Sequence, residues 1–145
     1  MKRLICCLLL VSLGIACQNP NAARGSGSQA IVAKAEGSSE FLPKGQATGW
    51  QPVRSGWVLA EGDQARTGAD GQIDFQITPH GGVVTLMPNS TLEIEQLGPR
   101  GTTGTNQNAV ATLRLTRGRV VGDTLKLPKG SKVVVKTNAG TFAIP

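Results

Sequence analysis

The sequence predicts an all-β fold, with short antiparallel strands arranged as a sandwich or roll. Turn-forming residues recur roughly every 8–12 residues, which is the spacing of short strands joined by tight turns. Glycine accounts for 19 of the 145 residues, and its free backbone suits such turns. No segment after residue 17 has the 3.6-residue period of an amphipathic helix. Because aromatic residues make up only 3% of the chain, the core must consist mainly of Val, Leu, Ile and Ala.

The chain begins with a segment typical of an exported protein. Lys2 and Arg3 precede an apolar run at residues 4–16. As a helix this run would be about 20 Å long, short of the ~30 Å hydrocarbon core of a bilayer. We therefore interpret residues 1–16 as a signal peptide and not as a membrane span.

Residues 13–17, Leu-Gly-Ile-Ala-Cys, indicate a lipoprotein signal. They resemble the bacterial lipobox, in which small residues precede an invariant cysteine that is acylated and becomes the mature N-terminus. Cleavage would fall between Ala16 and Cys17 and would remove Cys6 and Cys7 with the signal. The one remaining thiol would then be capped by lipid, so that neither a disulfide nor a cysteine-based metal site is expected.

The identity of residues 14 and 18 bears on where the protein is delivered. Gly14 stands where the lipobox most often has Leu, which leaves open an ordinary secretory peptide cleaved nearby or an uncleaved anchor. An acylated Cys17 would attach the protein to a membrane of the cell envelope, facing the periplasm. Gln18 follows the cysteine in place of Asp, which is compatible with delivery to the outer membrane of a diderm host.

The mature chain divides into a tether and one domain. Residues 17–28 are polar, rich in Gly, Ser and Asn, and without hydrophobic period, which predicts a flexible linker. The β domain is predicted over residues 29–145. Its first strand is expected at residues 30–35, followed by a turn at 36–39, and residues 40–42 are expected to pair back as a short hairpin arm.

Alternation of polar and apolar residues predicts the following strands. Residues 72–77 and 91–97 alternate, so that their apolar side chains share one face, and Glu93 and Glu95 point outward. A strand at 83–86 lies between them. The inward positions are Ile73, Phe75, Ile77, Leu92, Ile94 and Leu97. After a loop at 98–108, strands are predicted at 110–116, 119–121, 124–127 and 132–137.

Acidic residues in glycine-rich turns have a structural and a metal-binding interpretation. Asp63 is expected to cap backbone N–H groups of its turn, and Asp70 with Gly71 favours a type I′ hairpin turn before the strand at 72–77. The alternative is a calcium site formed by Asp63, Asp70 and Asp74. Calcium needs six to eight oxygen ligands, and a turn residue and a strand residue do not form so dense a loop. We predict no metal site.

Several short segments follow one another in an ordered series. They are Trp50-Gln51-Pro52-Val53, Gly62-Asp63 with Thr67-Gly68, Gly82-Val83-Val84-Thr85-Leu86, Pro88-Asn89-Ser90-Thr91-Leu92-Glu93-Ile94, Leu113 to Gly118, and Lys132–Thr137. This order resembles the FecR domain, from about residue 29 to the end of the chain. Each segment is a turn or strand element, and their order and spacing carry the resemblance, which implies a FecR-like β domain.

The resemblance has two departures. FecR regulators of iron uptake carry a sigma-factor-binding segment ahead of a membrane span, whereas three residues precede the apolar run here, so direct anti-sigma regulation is disfavoured. The resemblance also stops at residues 139–145, where the family domain continues into an R-G-T-x-F strand region. We therefore expect a domain truncated at its C-terminus, with an open sheet edge.

Catalytic residues find little support in the sequence. His80, the one histidine, lies in a Pro-His-Gly-Gly turn without a neighbouring cysteine or acid pair. Ser90 and Ser131 lack the G-x-S-x-G context of a nucleophile elbow. Glu93 and Glu95 are expected on a solvated strand face and not as an acid–base pair. We predict no catalytic residue, no cofactor and no enzymatic activity.

Positive charge concentrates toward the C-terminus. Residues 113–145 contain seven basic residues and one acid, Asp123. The basic residues are Arg114, Arg117, Arg119, Lys126, Lys129, Lys132 and Lys136. Their alternation with apolar residues predicts a solvent-facing surface, lined by Arg114 and Lys126, for an anionic envelope polymer, lipid head groups or an acidic partner. Nucleic acid is not expected, because the compartment is wrong and aromatic residues do not interleave with the charges.

The two tryptophans offer one further candidate site. Trp50 and Trp57 would suit a sugar-stacking platform, but a packing role in the core or against a hairpin is the simpler expectation. Together these features predict a lipid-anchored, non-enzymatic protein of the cell envelope that acts as a binding or sensing module. A structural component of a larger envelope assembly is the alternative.

Overall fold

The computed structural model describes residues 28–78, 82–98, 109–123, 129 and 131–144. Several predictions fall outside these residues. They are the signal peptide with Ala16, the acylation site Cys17, the tether up to residue 27, the loop at 99–108, His80, Lys126 and the strand at 124–127.

Twelve strands make up the regular structure of the described residues, in which no helix occurs. They are β1 (Gln29–Glu36), β2 (Ser39–Leu42), β3 (Gln51–Pro52), β4 (Val58–Leu59), β5 (Gln64–Thr67), β6 (Gln72–Thr78), β7 (Gly82–Leu86), β8 (Thr91–Leu97), β9 (Ala109–Arg117), β10 (Val120–Asp123), β11 (Lys132–Thr137) and β12 (Gly140–Ile144). The predicted all-β class is therefore confirmed. Within the same residues, no helix has the length and apolarity that a membrane crossing requires.

The strands form two sheets that pack face to face. The first sheet has the order β10-β7-β6-β1-β4 and the second the order β12-β11-β9-β8-β5-β2-β3. Neighbours are antiparallel, as predicted, except for β9 and β11, which are parallel. After β9 the chain leaves the second sheet, places β10 at the edge of the first sheet and returns as β11 beside β9. A return through the other sheet brings β11 back in the same direction as β9.

The core between the sheets is mainly aliphatic, with two buried phenylalanines. The central strand β6 alternates along its length and β8 alternates up to Glu95, and the inward side chains of these stretches are at most 2% exposed. These side chains are Ile73, Phe75 and Ile77 on β6 and Leu92 and Ile94 on β8. Glu93 and Glu95 lie on the outer face of β8. The faces predicted for these two strands are confirmed, and Leu97 at the end of β8 is half-buried.

The predicted hairpin between β1 and β2 is wrong. β1 pairs with β4 and β6 in the first sheet, whereas β2 pairs with β3 and β5 in the second. Val32 of β1 and Phe41 of β2 are both fully buried. The two strands therefore fill one core from opposite sides, and the chain changes sheets at the short bend between them.

The predicted type I′ turn at Asp70 and Gly71 is also wrong. Neither residue has the positive φ that this turn requires, and β5 and β6 belong to different sheets. Instead, Asp70 Oδ1 accepts a hydrogen bond of 3.2 Å from the backbone N–H of Ser38. The backbone N–H of Gly68 donates a hydrogen bond of 2.7 Å to the Ser38 carbonyl. The turn between β5 and β6 is thereby fastened to the bend between β1 and β2.

The buried side chain of Asp63 stabilises the turn before β5 by accepting backbone hydrogen bonds. Its side chain is 0% exposed. Oδ2 accepts a hydrogen bond of 2.9 Å from the backbone N–H of Ala60, and Oδ1 accepts one of 2.9 Å from that of Lys44. The Asp63 carbonyl accepts a further hydrogen bond from Ile94 of β8. The predicted capping role is confirmed, and it extends to the loop that follows β2.

The chain crosses from the first sheet to the second between β7 and β8, and from the second to the first between β9 and β10. Two hydroxyl groups hold these two crossings together by hydrogen bonds. Thr67 Oγ1 donates to the Met87 carbonyl (2.6 Å) and accepts from the Ser90 N–H (3.1 Å). Ser90 Oγ accepts from the N–H of Arg119 at 2.9 Å. Gly118 packs so closely that a Cβ there would lie 2.6 Å from Ser90 Cα. Glycine at 118 thus permits the approach of the two crossings.

Replacing Asp63 with Ala should destabilise the fold strongly. The change removes the buried acceptor of the part-buried N–H groups of Ala60 and Lys44, at a cost of about 2 kcal/mol in the free energy of unfolding. Glu36→Ala is the control, because its ion pair with Lys34 is solvent-exposed and should contribute far less to stability. Urea unfolding of both variants measures the difference. Similar losses for the two would contradict the capping role.

Alanine at Gly118 should cost more than alanine at Gly56. Both glycines have nearly the same positive φ, +88° and +87°, so the backbone strain of an L-residue, about 1 kcal/mol, is common to both. Only at Gly118 does the new Cβ overlap Ser90, whereas the space at Gly56 is open. We expect Gly118→Ala to lose about 2 kcal/mol more than Gly56→Ala in urea unfolding. Equal losses of stability in the two variants would contradict a structural need for the close approach of Gly118 to Ser90.

Candidate functional site

The outer face of the second sheet brings together two of the predicted basic residues. β9 and β11 are parallel and in register, with Arg114 beside Lys136. Their neighbours Leu113 and Val135 are buried. Because successive side chains of a strand point to opposite faces, Arg114 and Lys136 project outward, toward the solvent.

Glu95 lies between these two cations. Its Oε1 accepts a hydrogen bond of 2.6 Å from Arg114 Nε and also contacts Arg114 Nη2. Its Oε2 lies 2.7 Å from Lys136 Nζ. The Glu95 side chain is only 15% exposed. Three strands thus contribute one residue each to an outer-face triad of Glu95, Arg114 and Lys136, whose net charge is +1.

The triad shifts the ionisation of its carboxyl group. Partial burial by itself raises the pKa of Glu95, but the hydrogen bonds and charges of Lys136 and Arg114 together outweigh burial. The pKa of Glu95 therefore lies below its ordinary value. At neutral pH the carboxylate is charged and holds both cations in place.

Four further basic residues of the predicted face lie toward the two opposite ends of the parallel strands β9 and β11. Arg117 lies at the end of β9, Arg119 before β10, Lys129 in a turn and Lys132 at the start of β11. Arg117, Arg119 and Lys129 are exposed, and Lys132 is half-buried. Within the described residues, none of these four side chains has a hydrogen-bond or ion-pair partner. Among the six residues of the predicted basic face that the structure describes, two hold Glu95 and four have no such partner within the described part of the chain.

Two hollows flank β12, the last strand of the second sheet. On the inner side, a cleft of about 240 Å³ separates the edge strands of the two sheets. Its lining includes the apolar side chains of Leu115, Val120, Val135, Phe142 and Ile144, with Arg119 among the other residues. On the outer side, a hollow of about 450 Å³ is lined by Arg114, Lys136 and the turn at 137–141.

The strand β12 was missed by the sequence prediction. It pairs with β11 on one side and is the edge strand of its sheet among the described residues. Phe142 at its centre is 57% exposed. The available signal was the alternation of Thr141, Phe142, Ala143 and Ile144 after a turn-forming Asn-Ala-Gly stretch.

The tryptophans occupy different environments. Trp57 is half-buried, and its ring packs edge-to-face on Phe41 with centroids 5.1 Å apart. Trp50 lies beneath the guanidinium of Arg66, which is 4.1 Å from the ring centroid and also donates to Glu40. The predicted packing role is confirmed for Trp57. Trp50 instead takes part in a cation–π contact.

The three aspartates considered for calcium have other partners. Asp63 and Asp70 accept backbone hydrogen bonds, as described above, and Asp74 Oδ1 accepts one of 2.8 Å from Thr85 Oγ1. No group of three or more His, Cys, Asp or Glu residues in the described ranges is arranged to hold a metal ion.

Glu95→Gln tests the triad through the pH dependence of stability. At pH 7 the variant should lose about 1 kcal/mol in the free energy of unfolding. Because the folded pKa of Glu95 is lowered, its stabilisation is present above the unfolded pKa and disappears as the pH falls through the folded pKa. Urea unfolding at several pH values should show the wild-type advantage shrinking below about pH 4.5.

Glu93→Gln is the matched control, since Glu93 lies on the same outer face of β8. It should change stability by less than about 0.5 kcal/mol at any of these pH values. A wild-type advantage over Glu95→Gln that is independent of pH would contradict the ionic role of the triad.

Comparison with known proteins finds no relative: no protein-family model, no curated protein and no solved structure matches this chain. Function is therefore inferred from the sequence and from the geometry of the described residues.

Proposed function

We propose that this chain is a lipid-anchored protein of the bacterial cell envelope, whose FecR-like β domain acts as a non-enzymatic binding or sensing module. The observation that carries the proposal is Cys17, which directly follows a short basic start, an apolar run and the small residues of a lipobox-like sequence. A membrane span would need about 20 apolar residues, whereas this run fits a signal peptide.

The spacing between Cys17 and the first strand supports a tethered domain. β1 begins at Gln29, and the intervening residues are rich in Gly, Ser and Asn. A flexible linker of this length spans about 20 Å on average. A lipid on Cys17 would thus hold the β domain close to the membrane surface and leave it free to turn toward a partner.

The charge distribution supports an anionic or acidic partner. Removal of residues 1–16 takes away two basic residues and no acid, so the mature chain keeps a charge of +4. Four cations without a side-chain partner among the described residues lie toward both ends of β9 and β11 and contribute to a positive surface. Such a surface attracts an anionic envelope polymer or an acidic face of an envelope protein.

A structural role in an envelope assembly is the second candidate. The observation that favours it is the exposed edge of β12, because an open sheet edge is a template for pairing with another chain. Isolation of the protein with its partners from membranes separates the two roles. A complex of fixed stoichiometry supports a structural component, whereas a complex that depends on an added ligand supports a sensing module.

Cys17→Ser should abolish acylation and move the protein from the membrane fraction to the soluble fraction. Metabolic labelling with a radioactive fatty acid and fractionation of the cells measure both effects. Cys7→Ser is the matched control, since Cys7 lies in the segment that cleavage removes, and it should leave labelling and fractionation unchanged. Retention of Cys17→Ser in the membrane fraction would overturn the proposed lipid anchor.

A further inference from the structure

We propose that β12 is a docking edge for an extended acidic segment of a partner protein, which adds to the second sheet as a further strand. The inference deepens the proposed binding function, because it names the surface and the chemistry of the partner. It rests on that binding function but not on the lipid anchor.

Among the described residues, the backbone of β12 pairs with a strand on one side only. Its residues pair with β11 in antiparallel register from Val133 opposite Ile144 to Thr137 opposite Gly140. On its other side no strand of the described residues pairs with it, and residues 140–143 are exposed. An extended segment can therefore continue the ladder of backbone hydrogen bonds on this side.

The inner side of β12 selects apolar side chains. Phe142 lies opposite Val135 in the ladder, and both line the 240 Å³ cleft between the edges of the two sheets. At one end the cleft is narrowed by Ile144, whose Cδ1 lies 2.8 Å from where a Cβ on Gly122 of β10 would be. Toward Phe142 the cleft is open. A strand beside β12 would place every second side chain at this opening, where burial of apolar surface is favourable.

The outer side of β12 selects acidic side chains. Thr141 lies opposite Lys136, which in turn lies beside Arg114, and all three line the outer hollow. Glu95 engages one face of each cation, yet Lys136 and Arg114 remain about half exposed. Both therefore keep N–H donors that point to solvent. The alternate side chains of an added strand would lie next to these donors, so that carboxylates are the complementary groups.

Further charges around β12 favour the same partner. Arg119 lines the inner cleft and has no side-chain partner among the described residues. The nearby acids are Glu95, which is held in the triad, Glu93 across the ladder from Arg114, and Asp123 at the end of β10. A second copy of this chain would bring identical sets of cations together at the new edge. Charge complementarity thus favours an acidic segment over self-pairing.

The proposal is tested by titration of a synthetic peptide that alternates Glu and Val into the full chain carrying Cys17→Ser. We expect saturable binding and slower hydrogen exchange of the β12 amide groups in the complex. A peptide with Lys in place of Glu should bind at least about tenfold more weakly. A peptide with N-methylated backbone groups on its pairing edge should not bind, because it cannot extend the ladder.

Two variants locate the binding site. Phe142→Thr removes the exposed ring but keeps strand propensity, and Lys136→Gln removes one outer-face charge, so each should weaken binding about tenfold. The matched controls are Val121→Thr, an exposed apolar residue of β10 that does not line the cleft, and Lys34→Gln, an ion-paired lysine on the first sheet. Both controls should bind as the unsubstituted chain does.

Several outcomes would overturn the proposal. They are equal affinity for the Glu and Lys peptides, undiminished binding by Phe142→Thr, or binding without protection of β12. A concentration-dependent dimer that Phe142→Thr abolishes would instead assign the edge to a second copy. Fractionation of the Cys17→Ser protein tests the lipid anchor separately, so failure of either experiment leaves the other informative.

Discussion

The hydrogen bonds between Thr67, Ser90 and Arg119 set the architecture of this domain. The chain repeatedly passes from one sheet to the other, and the described residues contain no helix that could bridge the sheets. The Thr67 and Ser90 hydroxyls therefore connect the β7–β8 crossing to the β9–β10 crossing. Because β10 is placed in the first sheet at this point, β11 returns parallel to β9. β12 pairs with β11, so the position of β11 also determines where β12 and the two hollows beside it lie.

The sequence predicted the strands better than their partners. Alternation in β6 and in the first part of β8 identified the buried faces correctly, because a side-chain period of two is visible within one strand. The partner of a strand is a long-range property, and β2 paired in the sheet opposite β1 although its apolar pattern fitted either arrangement. Short turns have the same limit. Asp70 and Gly71 have the residue types of a hairpin turn, but they connect β5 and β6, which lie in different sheets. β12 was missed because four alternating residues are a weak signal.

The same limit applies to the candidate site. The density of basic residues after Leu113 was visible in the sequence, but the location of their counter-charge was not. Glu95 lies some twenty residues before Arg114, and a register shift between Ile94 and Gln96 in the β8–β9 ladder lies next to its position on the outer face. The structure thus separates cations that organise a carboxylate from cations that face solvent. Only the latter resemble the free basic surface that composition suggests.

The parallel pairing of β9 and β11 also bears on how the domain assembles. Two parallel strands cannot be joined by a tight turn. β11 can therefore pair with β9 only after the intervening chain, which includes β10, has packed on the first sheet. Contacts of this kind form late because loop closure must precede them. We expect the β11–β12 hairpin to be the last element to dock and the first to detach under mechanical load. The strand that offers an edge to a partner would then also be the one whose local opening a bound partner suppresses.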